Sequence, residues 1–225
     1  MIALENLCKT YTTKGLAKTV ARDISFTFPP NEPVGLLGRN GAGKSSLLRM
    51  IAGLSDPDSG SITSSGSISW PVGFQGSFHP DLSGSENARF VARLYGVETG
   101  GMDRFVADFA ELGDHFRLPV RLYSAGMRAR LAFAVSMAVP FDTYLIDEVT
   151  SVGDGAFRAK SEAMLAERMQ QSGAIVISHS MELLRRICTS GAVLENGRIF
   201  FYQRVERAIE HYDNLMMGRL PPWMR

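Results

Sequence analysis

The chain has 225 residues, enough for one sizeable core or for a core with a smaller attached subdomain. Of these residues 45% are hydrophobic and 21% charged, a balance typical of a soluble globular protein. Its formal net charge of +1 gives no general affinity for nucleic acid or anionic lipid. No apolar stretch approaches the roughly 18 residues that a membrane helix requires, and the N-terminal MIALENLCKT lacks the pattern of a secretion signal.

The first third of the chain is rich in strand signals. Apolar or alternating runs predict strands over residues 2–7, 23–28 and 33–37. The spacing of apolar residues predicts a helix over 44–54, and the turn-rich stretch 55–70 is expected to hold two short strands. This order is typical of the beginning of a layered α/β domain.

The pattern changes at about residue 83. The segments SENARFVARLYG, DRFVADFAELGDHF and SAGMRARLAFAVSMAV have the spacing of amphipathic helices, and strand signals are absent from this stretch. We interpret residues 83–140 as a helical subdomain inserted into the α/β domain.

Strand signals return after Pro140. The elements predicted there are a strand over 143–148, a helix over 156–171, a strand over 174–178, a helix after Ser180, a hairpin over 192–202 and a helix over 206–216. We expect one domain over 1–225, with a C-terminal hairpin and helix at about 191–216. Ligands of such sheets bind at the C-terminal ends of the strands.

The sequence GRNGAGKS follows the short apolar strand at 33–37. Gly38, Gly43, Lys44 and Ser45 fit the pattern G-x-x-x-x-G-K-[ST] in the required order of strand, loop and helix. Glycines let backbone N–H groups surround a phosphate, and the positive end of the helix adds to this attraction. The lysine would reach the β- and γ-phosphates, and the serine hydroxyl would bind Mg²⁺. The residues assigned to the nucleotide site are Gly38, Arg39, Asn40, Gly41, Ala42, Gly43, Lys44, Ser45 and Ser46.

Two carboxylates end the apolar run TYLIDE. Asp147 is predicted to bind Mg²⁺ and Glu148 to act as the general base on the attacking water, because the ends of parallel strands lie near the phosphate loop.

The order of the phosphate loop, YSAGM, LIDEVTSVGD and ISHS resembles the nucleotide-binding subunits of ABC transporters over nearly the whole chain. The signature segment of that family reads LSGGQ. Ser124 and Gly126 match it, while Tyr123, Ala125 and Met127 depart from it. The resemblance implies a phosphate-loop NTPase fold with a RecA-like core, an antiparallel β subdomain and an inserted helical subdomain. It also implies that ATP and Mg²⁺ are the cofactors.

The resemblance assigns further roles one residue at a time. Tyr11 matches the aromatic residue that stacks on adenine, and His179 matches the histidine that contacts the γ-phosphate or the water. Asp154 matches an aspartate at the dimer interface, and Ser124 would contact ATP bound by the second subunit. Gln75 is the candidate for the family's catalytic and metal-binding glutamine, although it lies about one position from the expected spacing.

A narrower resemblance is to the ATPases that export capsular polysaccharide from Gram-negative bacteria. The stretches SWPVG, ENARFVARLYG, YSAGMRARLAF and DEVTSVGD carry it. It implies a homodimer at the cytoplasmic face of the inner membrane, bound to two copies of a membrane permease, with other envelope polysaccharide-export proteins as candidate additions. Nucleic acid is not expected as a partner. The surface expected to meet the permease is formed by Phe74, Gln75, Phe78, His79 and Ser85.

Other functions stay open on the sequence alone. An exporter of O-antigen or teichoic acid would have a similar ATPase. A soluble ABC-type ATPase usually has coiled coils or tandem cassettes, and this chain has neither. The mechanism of a phosphate-loop kinase does not require residues such as Ser124, Gly126 and His179.

Overall fold

The structure is a computed structural model that describes residues 1–13, 16–74, 76, 78–148 and 154–219, without the side chain of Thr13. The strands are β1 (Ile2–Thr13), β2 (Leu16–Phe28), β3 (Pro33–Leu37), β4 (Ser59–Ser64), β5 (Ile68–Pro71), β6 (Thr143–Asp147), β7 (Gly173–Ile177), β8 (Ser190–Glu195) and β9 (Arg198–Tyr202). The helices are α1 (Lys44–Ile51), α2 (Gly84–Tyr95), α3 (Thr99–Ala110), α4 (Ala125–Ala138), α5 (Gly155–Arg168), α6 (Met181–Ile187) and α7 (Val205–Met216).

The described residues form two compact units. The first contains residues 1–71, 141–148 and 166–219, and the second contains residues 72–140 and 154–165. Both sheets belong to the first unit, whereas helices α2, α3 and α4 and most of α5 belong to the second. No helix in the described ranges is both long and apolar enough to cross a bilayer.

The six-stranded sheet of the first unit has the order β5-β6-β7-β3-β8-β9. Its neighbouring strands are parallel, except that β9 runs antiparallel to β8. All five residues of β3 are buried, because strands flank both of its edges, α1 packs on one face, and Leu184 of α6 and Val205 of α7 approach Gly35 on the other. Leu47, Leu48 and Ile51 of α1 belong to the same apolar core as Leu36 of β3. This packing fixes the strand that precedes the phosphate loop and the helix that follows it.

The three-stranded antiparallel sheet has the order β2-β1-β4. Its first two strands are longer than the sequence predicts, since residues between 8 and 22 also pair across the hairpin. Irregularities shift the register at Leu4/Leu7, Leu7/Lys9 and Lys9/Thr10. Beyond the last shift, Tyr11 pairs with Lys18.

The second unit is helical. Ser83 and Glu86 form a capping box at the start of α2, and Phe109, Phe133 and Phe157 pack their rings at centroid distances of 5.6 to 6.3 Å. The predicted continuous helix DRFVADFAELGDHF is wrong at its end. Helix α3 stops at Ala110, Glu111 adopts a left-handed conformation with φ of 53°, and a separate 3-10 helix covers Gly113–Arg117.

Candidate functional site

The phosphate loop, residues 38–45, connects β3 to α1 in the first unit. Two of its glycines have positive φ angles and no room for a side chain. A Cβ on Gly38 would lie 2.5 Å from the carbonyl oxygen of Leu194, and a Cβ on Gly43 would lie 2.5 Å from Cβ of Val20. Glycine is therefore required at both positions by backbone geometry and by close approach.

The Lys44 side chain folds back across this loop. Its Nζ donates hydrogen bonds to the carbonyl oxygens of Gly38 at 2.7 Å and Arg39 at 3.3 Å. Burial lowers the pKa of Lys44, while the nearby charges of Glu148 and Asp147 oppose this effect. The two carboxylates therefore lie within electrostatic reach of the loop lysine.

A cleft of about 500 Å³ opens over the loop, and we call it the first-unit cleft. Its lining residues are Tyr11, Lys18, Val20, Asn40, Gly41, Gly43, Lys44, Ser45, Ser46, Glu148 and His179. The structure thus brings together most of the nucleotide-site residues that the sequence predicts for this unit. Arg39 and Ala42 line a neighbouring cleft of about 490 Å³, together with the β8–β9 turn. Sequence reasoning missed Lys18 and Val20, because the strand that carries them was predicted to begin only at residue 23.

Tyr11 lies at the hairpin side of the first-unit cleft, with 39% of its surface exposed. A hydrogen bond with Ser46 is the largest influence on its hydroxyl and lowers its pKa, and Ser55 acts in the same direction. Lys9 lies 5.4 Å from the ring centroid. The ring is therefore held at its hydroxyl end while part of its surface stays open to a ligand.

Glu148 and His179 are in direct contact at the ends of two neighbouring strands. Glu148 follows β6, and its N–H donates to the carbonyl oxygen of Ile177, the last residue of β7, at 3.0 Å. Its φ of 54° is left-handed. Glu148 Oε1 lies 2.9 Å from His179 Nε2, and about half of each side chain is exposed. A carboxylate and an imidazole in contact at a cleft wall can orient water and exchange a proton.

The oxygen donors beside the loop fit a magnesium ion. Ser45 lines the first-unit cleft, and Asp147 ends β6 within electrostatic reach of Lys44. No group of three or more His, Cys, Asp or Glu side chains that could hold a metal exists within the described ranges. Magnesium does not need such a cage, because it commonly binds one or two carboxylates together with substrate phosphates and water.

A second cleft, of about 530 Å³, is formed within the second unit, and we call it the second-unit cleft. Its lining residues are Glu111, Leu112, His115, Ser124, Gly126, Met127, Arg130 and Asp154. Ser124 is the N-cap of α4, and its hydroxyl oxygen accepts a hydrogen bond from the N–H of Met127 at 3.1 Å. The capping bond uses a lone pair and leaves the hydroxyl proton available for donation to a ligand.

The Asp154 carboxylate is held by residues of α4 and α5. One carboxylate oxygen accepts from the N–H of Phe157 at 3.0 Å, and the other accepts from Arg130 at 2.7 Å. The hydrogen bond from Phe157 is the main reason that the pKa of Asp154 is lowered. The arrangement joins the start of α5 to α4, which carries Ser124 at its cap.

The surface expected to meet a permease is described in part. Phe74 is 44% exposed, Phe78 is half-buried, and His79 is exposed. The backbone of His79 is held by the buried side chain of Asn87, whose oxygen accepts from the His79 N–H at 2.9 Å. Gln75 lies outside the described residues.

Comparisons with known proteins identify the family of this chain. A family model described as ABC transporter matches residues 21–151. The chain is 45% identical to the ATP-binding protein BexA of Haemophilus influenzae, over 95% of this chain and 98% of that protein. It is 44% identical to the capsule polysaccharide export ATP-binding protein CtrD of Neisseria meningitidis serogroup B, over 96% of this chain and 100% of that protein.

A solved structure has the same fold. It is a dimeric ATP-binding cassette in a post-hydrolysis state, bound to ADP and Pi, with a TM-score of 0.75 and 20% identity, covering 90% of this chain and 98% of that one. The predicted fold class, an α/β phosphate-loop NTPase with a RecA-like core, an antiparallel β subdomain and an inserted helical subdomain, is confirmed.

Proposed function

This chain belongs to the ABC transporter family, and on that basis we propose that it is the ATP-hydrolysing subunit of a capsular polysaccharide exporter. One observation carries the enzymatic part of this proposal. Lys44 of the phosphate loop, Glu148 and His179 all line the first-unit cleft. The relative CtrD is a capsule polysaccharide export ATP-binding protein, which supports the choice of cargo.

In the proposed site, the ATP molecule extends from Tyr11 to the phosphate loop. The partly exposed ring of Tyr11 stacks on adenine. Backbone N–H groups of the loop and the N-terminus of α1 receive the phosphates. Lys44 then exchanges its bonds to two loop carbonyl groups for bonds to the β- and γ-phosphates.

Ser45 and Asp147 would hold Mg²⁺ together with the phosphate oxygens. The bound ion supplies neutralisation of the charge that develops on the transferred phosphoryl group. Neither residue is a base in this proposal; both would position the polyphosphate through the ion.

Glu148 is the proposed general base, and His179 is its immediate neighbour. The contact of 2.9 Å orients the carboxylate, and the histidine can contact the γ-phosphate or the attacking water when ATP is present. A histidine in contact with both the base and the terminal phosphate would distinguish ATP from ADP.

We propose that the functional assembly is a homodimer in which Ser124 and Gly126 of one subunit contact the ATP bound by Lys44 of the other. The phosphate loop encloses the nucleotide from one side only, and a second helix N-terminus can neutralise the γ-phosphate and exclude water. The free hydroxyl proton of Ser124 is suited to this contact. Asp154, bound to Arg130, would hold the chain at this interface in place.

Two copies of a membrane permease would bind this dimer at the cytoplasmic face of the inner membrane. ATP binding would close the dimer and hydrolysis would reopen it, because only the triphosphate makes contacts across the interface. The exposed Phe74 and the neighbouring Phe78 are the proposed contact for the permease.

The test replaces the chromosomal gene with a Lys44→Ala version in the native bacterium. We expect surface capsule to disappear and polymer to accumulate inside the cell, while the purified variant keeps its thermal transition and loses ATP turnover. Arg207→Ala is the matched control, because Arg207 is an exposed cation on α7 that pairs only with the nearby Glu210 among the described residues.

Each outcome decides a different part of the proposal. Unimpaired turnover in Lys44→Ala would refute the phosphate-loop site. Normal capsule combined with loss of the O-antigen chains would refute the capsular cargo and identify another surface polymer. Normal surface polymers of every kind, with turnover abolished, would refute the export function.

A further inference from the structure

The β1–β2 hairpin presents a cation beside the proposed adenine-stacking ring. Lys18 of β2 lies directly opposite Tyr11 of β1 in the antiparallel register. Directly opposed residues of such a pair project from the same face of the sheet, with Cβ atoms roughly 4.5–5.5 Å apart. An aromatic ring and an ammonium group are therefore carried side by side by one pair of strands.

The ammonium group of Lys18 lies over the phosphate loop. A Cβ built on Gly41 would be 2.7 Å from Lys18 Nζ, so the charge is held directly above the loop backbone. Lys18 also lines the first-unit cleft together with Lys44. Two cations from different elements, β2 and α1, thus border the same space.

The exposed side chain of Lys18 has no ion-pair partner within the described part of the chain. Its neighbour on the hairpin, Lys9, differs in this respect, because Lys9 Nζ lies 2.9 Å from Asp58 Oδ1. Lys44 is also engaged, through the loop carbonyl groups. Lys18 is therefore a charge at the cleft mouth that needs no existing bond to be broken before it binds an anion.

We propose that Lys18 is a phosphate-binding residue that contacts the terminal phosphates of the nucleotide from the hairpin side of the cleft. This inference rests on the proposed function, since it assigns a further ligand contact in the same site. The hairpin then binds the two ends of the nucleotide with adjacent residues, the base through Tyr11 and the polyphosphate through Lys18. The loop and α1 surround the phosphates from below, and Lys18 adds charge at the exposed side.

The test compares Lys18→Met with Arg22→Met. Methionine keeps the apolar stem of the lysine and removes only the charge, so packing of the hairpin is retained. Arg22 is an exposed cation on the same strand that lines none of the described clefts, and its replacement causes the same loss of charge. Binding of ATP, ADP and AMP is measured at low and high salt, with Glu148→Gln added to every chain to prevent turnover.

We expect Lys18→Met to bind ATP and ADP about three- to tenfold more weakly, the range for an exposed charge contact with a strongly ionised ligand. AMP should bind as in the parent, because it lacks the phosphates that lie over the loop. The difference for ATP should shrink at high salt, and Lys18→Arg should restore most of the affinity.

Three results would overturn the inference. The first is unchanged ATP and ADP affinity in Lys18→Met. The second is an equal loss of ATP affinity in Arg22→Met, which would mean that the affinity depends on the overall positive charge and not on a contact with Lys18. The third is an equal loss of affinity for AMP, which would locate the effect at the adenine ring or the first phosphate. If Lys44→Ala also binds ATP like its parent, the proposed function itself fails, whereas a failure confined to Lys18→Met leaves it intact.

Discussion

Replacing Glu148 by glutamine separates ATP binding from ATP hydrolysis. The substitution keeps the length and shape of the side chain and removes its ability to accept a proton from water. The side chain is 52% exposed and contacts His179, and an amide oxygen can still accept a hydrogen bond at that position. We therefore expect the chain to fold and to bind ATP normally.

The expected loss lies in the rate of hydrolysis. General-base catalysis contributes roughly 10²–10⁴ in rate, which corresponds to about 2.7–5.4 kcal/mol of activation free energy at about 1.36 kcal/mol per tenfold change. The free energy of unfolding should change by no more than about 0.5 kcal/mol, because the side chain is half-exposed and not packed in the core. The left-handed φ of 54° costs the same for glutamate and glutamine.

The assay measures steady-state phosphate release and equilibrium ATP binding for the parent, Glu148→Gln and Asp147→Asn. Glu148→Gln should release phosphate at least about 10²-fold more slowly and accumulate an ATP-loaded dimer, detected by size-exclusion chromatography. Asp147→Asn should instead change the dependence on Mg²⁺ concentration, since its proposed role is to bind the metal. His179→Ala should reduce turnover less than Glu148→Gln does, because it leaves the base in place.

One pattern would refute the assignment of the base. If Glu148→Gln turns over normally while Asp147→Asn does not, Glu148 is not the base and His179 becomes the next candidate. A lowered melting temperature in Glu148→Gln would contradict the expectation that this side chain does not stabilise the fold.

Three further predictions concern the assembly and the fold. A mixture of Lys44→Ala and Ser124→Arg chains, each with Glu148→Gln, should occlude one ATP per mixed dimer although neither chain alone occludes any; proven mixed dimers that occlude none would refute a shared site. Phe74→Ser should lower export and leave basal ATPase activity unchanged, and a loss of solubility would instead indicate a core residue. Burial raises the pKa of the Cys188 thiol from 9.0 to about 12, so the folded chain keeps this proton while the unfolded chain loses it above pH 9. Stability from this group should therefore decline as pH rises above 9, and Cys188→Ala should flatten that part of the melting-temperature profile.

Much of the core was predictable from the sequence. The strand at 33–37 and the start of the helix at Lys44 are confirmed at the predicted residues, because a fully apolar run, a glycine-rich loop and a helical repeat have distinct patterns. The hairpin is the clearest omission. Its outer part, which contains Tyr11 and Lys18, is mostly polar, and its apolar Leu16 and Ala17 are consecutive, so no alternation of polar and apolar residues marks it. Backbone pairing extends it regardless of side-chain polarity, and the Lys18 contact could not be foreseen without that register.

The break after Ala110 is marked by backbone conformations that the periodic pattern conceals. Apolar residues continue at helical spacing as far as Phe116, yet Glu111 adopts a left-handed conformation and Gly113 has a φ of 54°. Glu111 forms ion pairs with Lys160 and Arg130. The spacing of hydrophobic residues gives no information about such charged contacts, which bring together residues far apart in sequence.

The contact between Glu148 and His179 depends on the register of two strands, which cannot be read from the sequence pattern. Strands β6 and β7 are largely or fully buried, so neither has the alternation of polar and apolar residues that would indicate how they align. In the structure Asp147 pairs with Ile177, and the N–H of Glu148 continues this ladder by one bond. A shift of one residue would turn either side chain to the opposite face and separate the carboxylate from the imidazole. Each residue type could therefore be predicted from its motif, but their direct contact follows only from the register of the two strands.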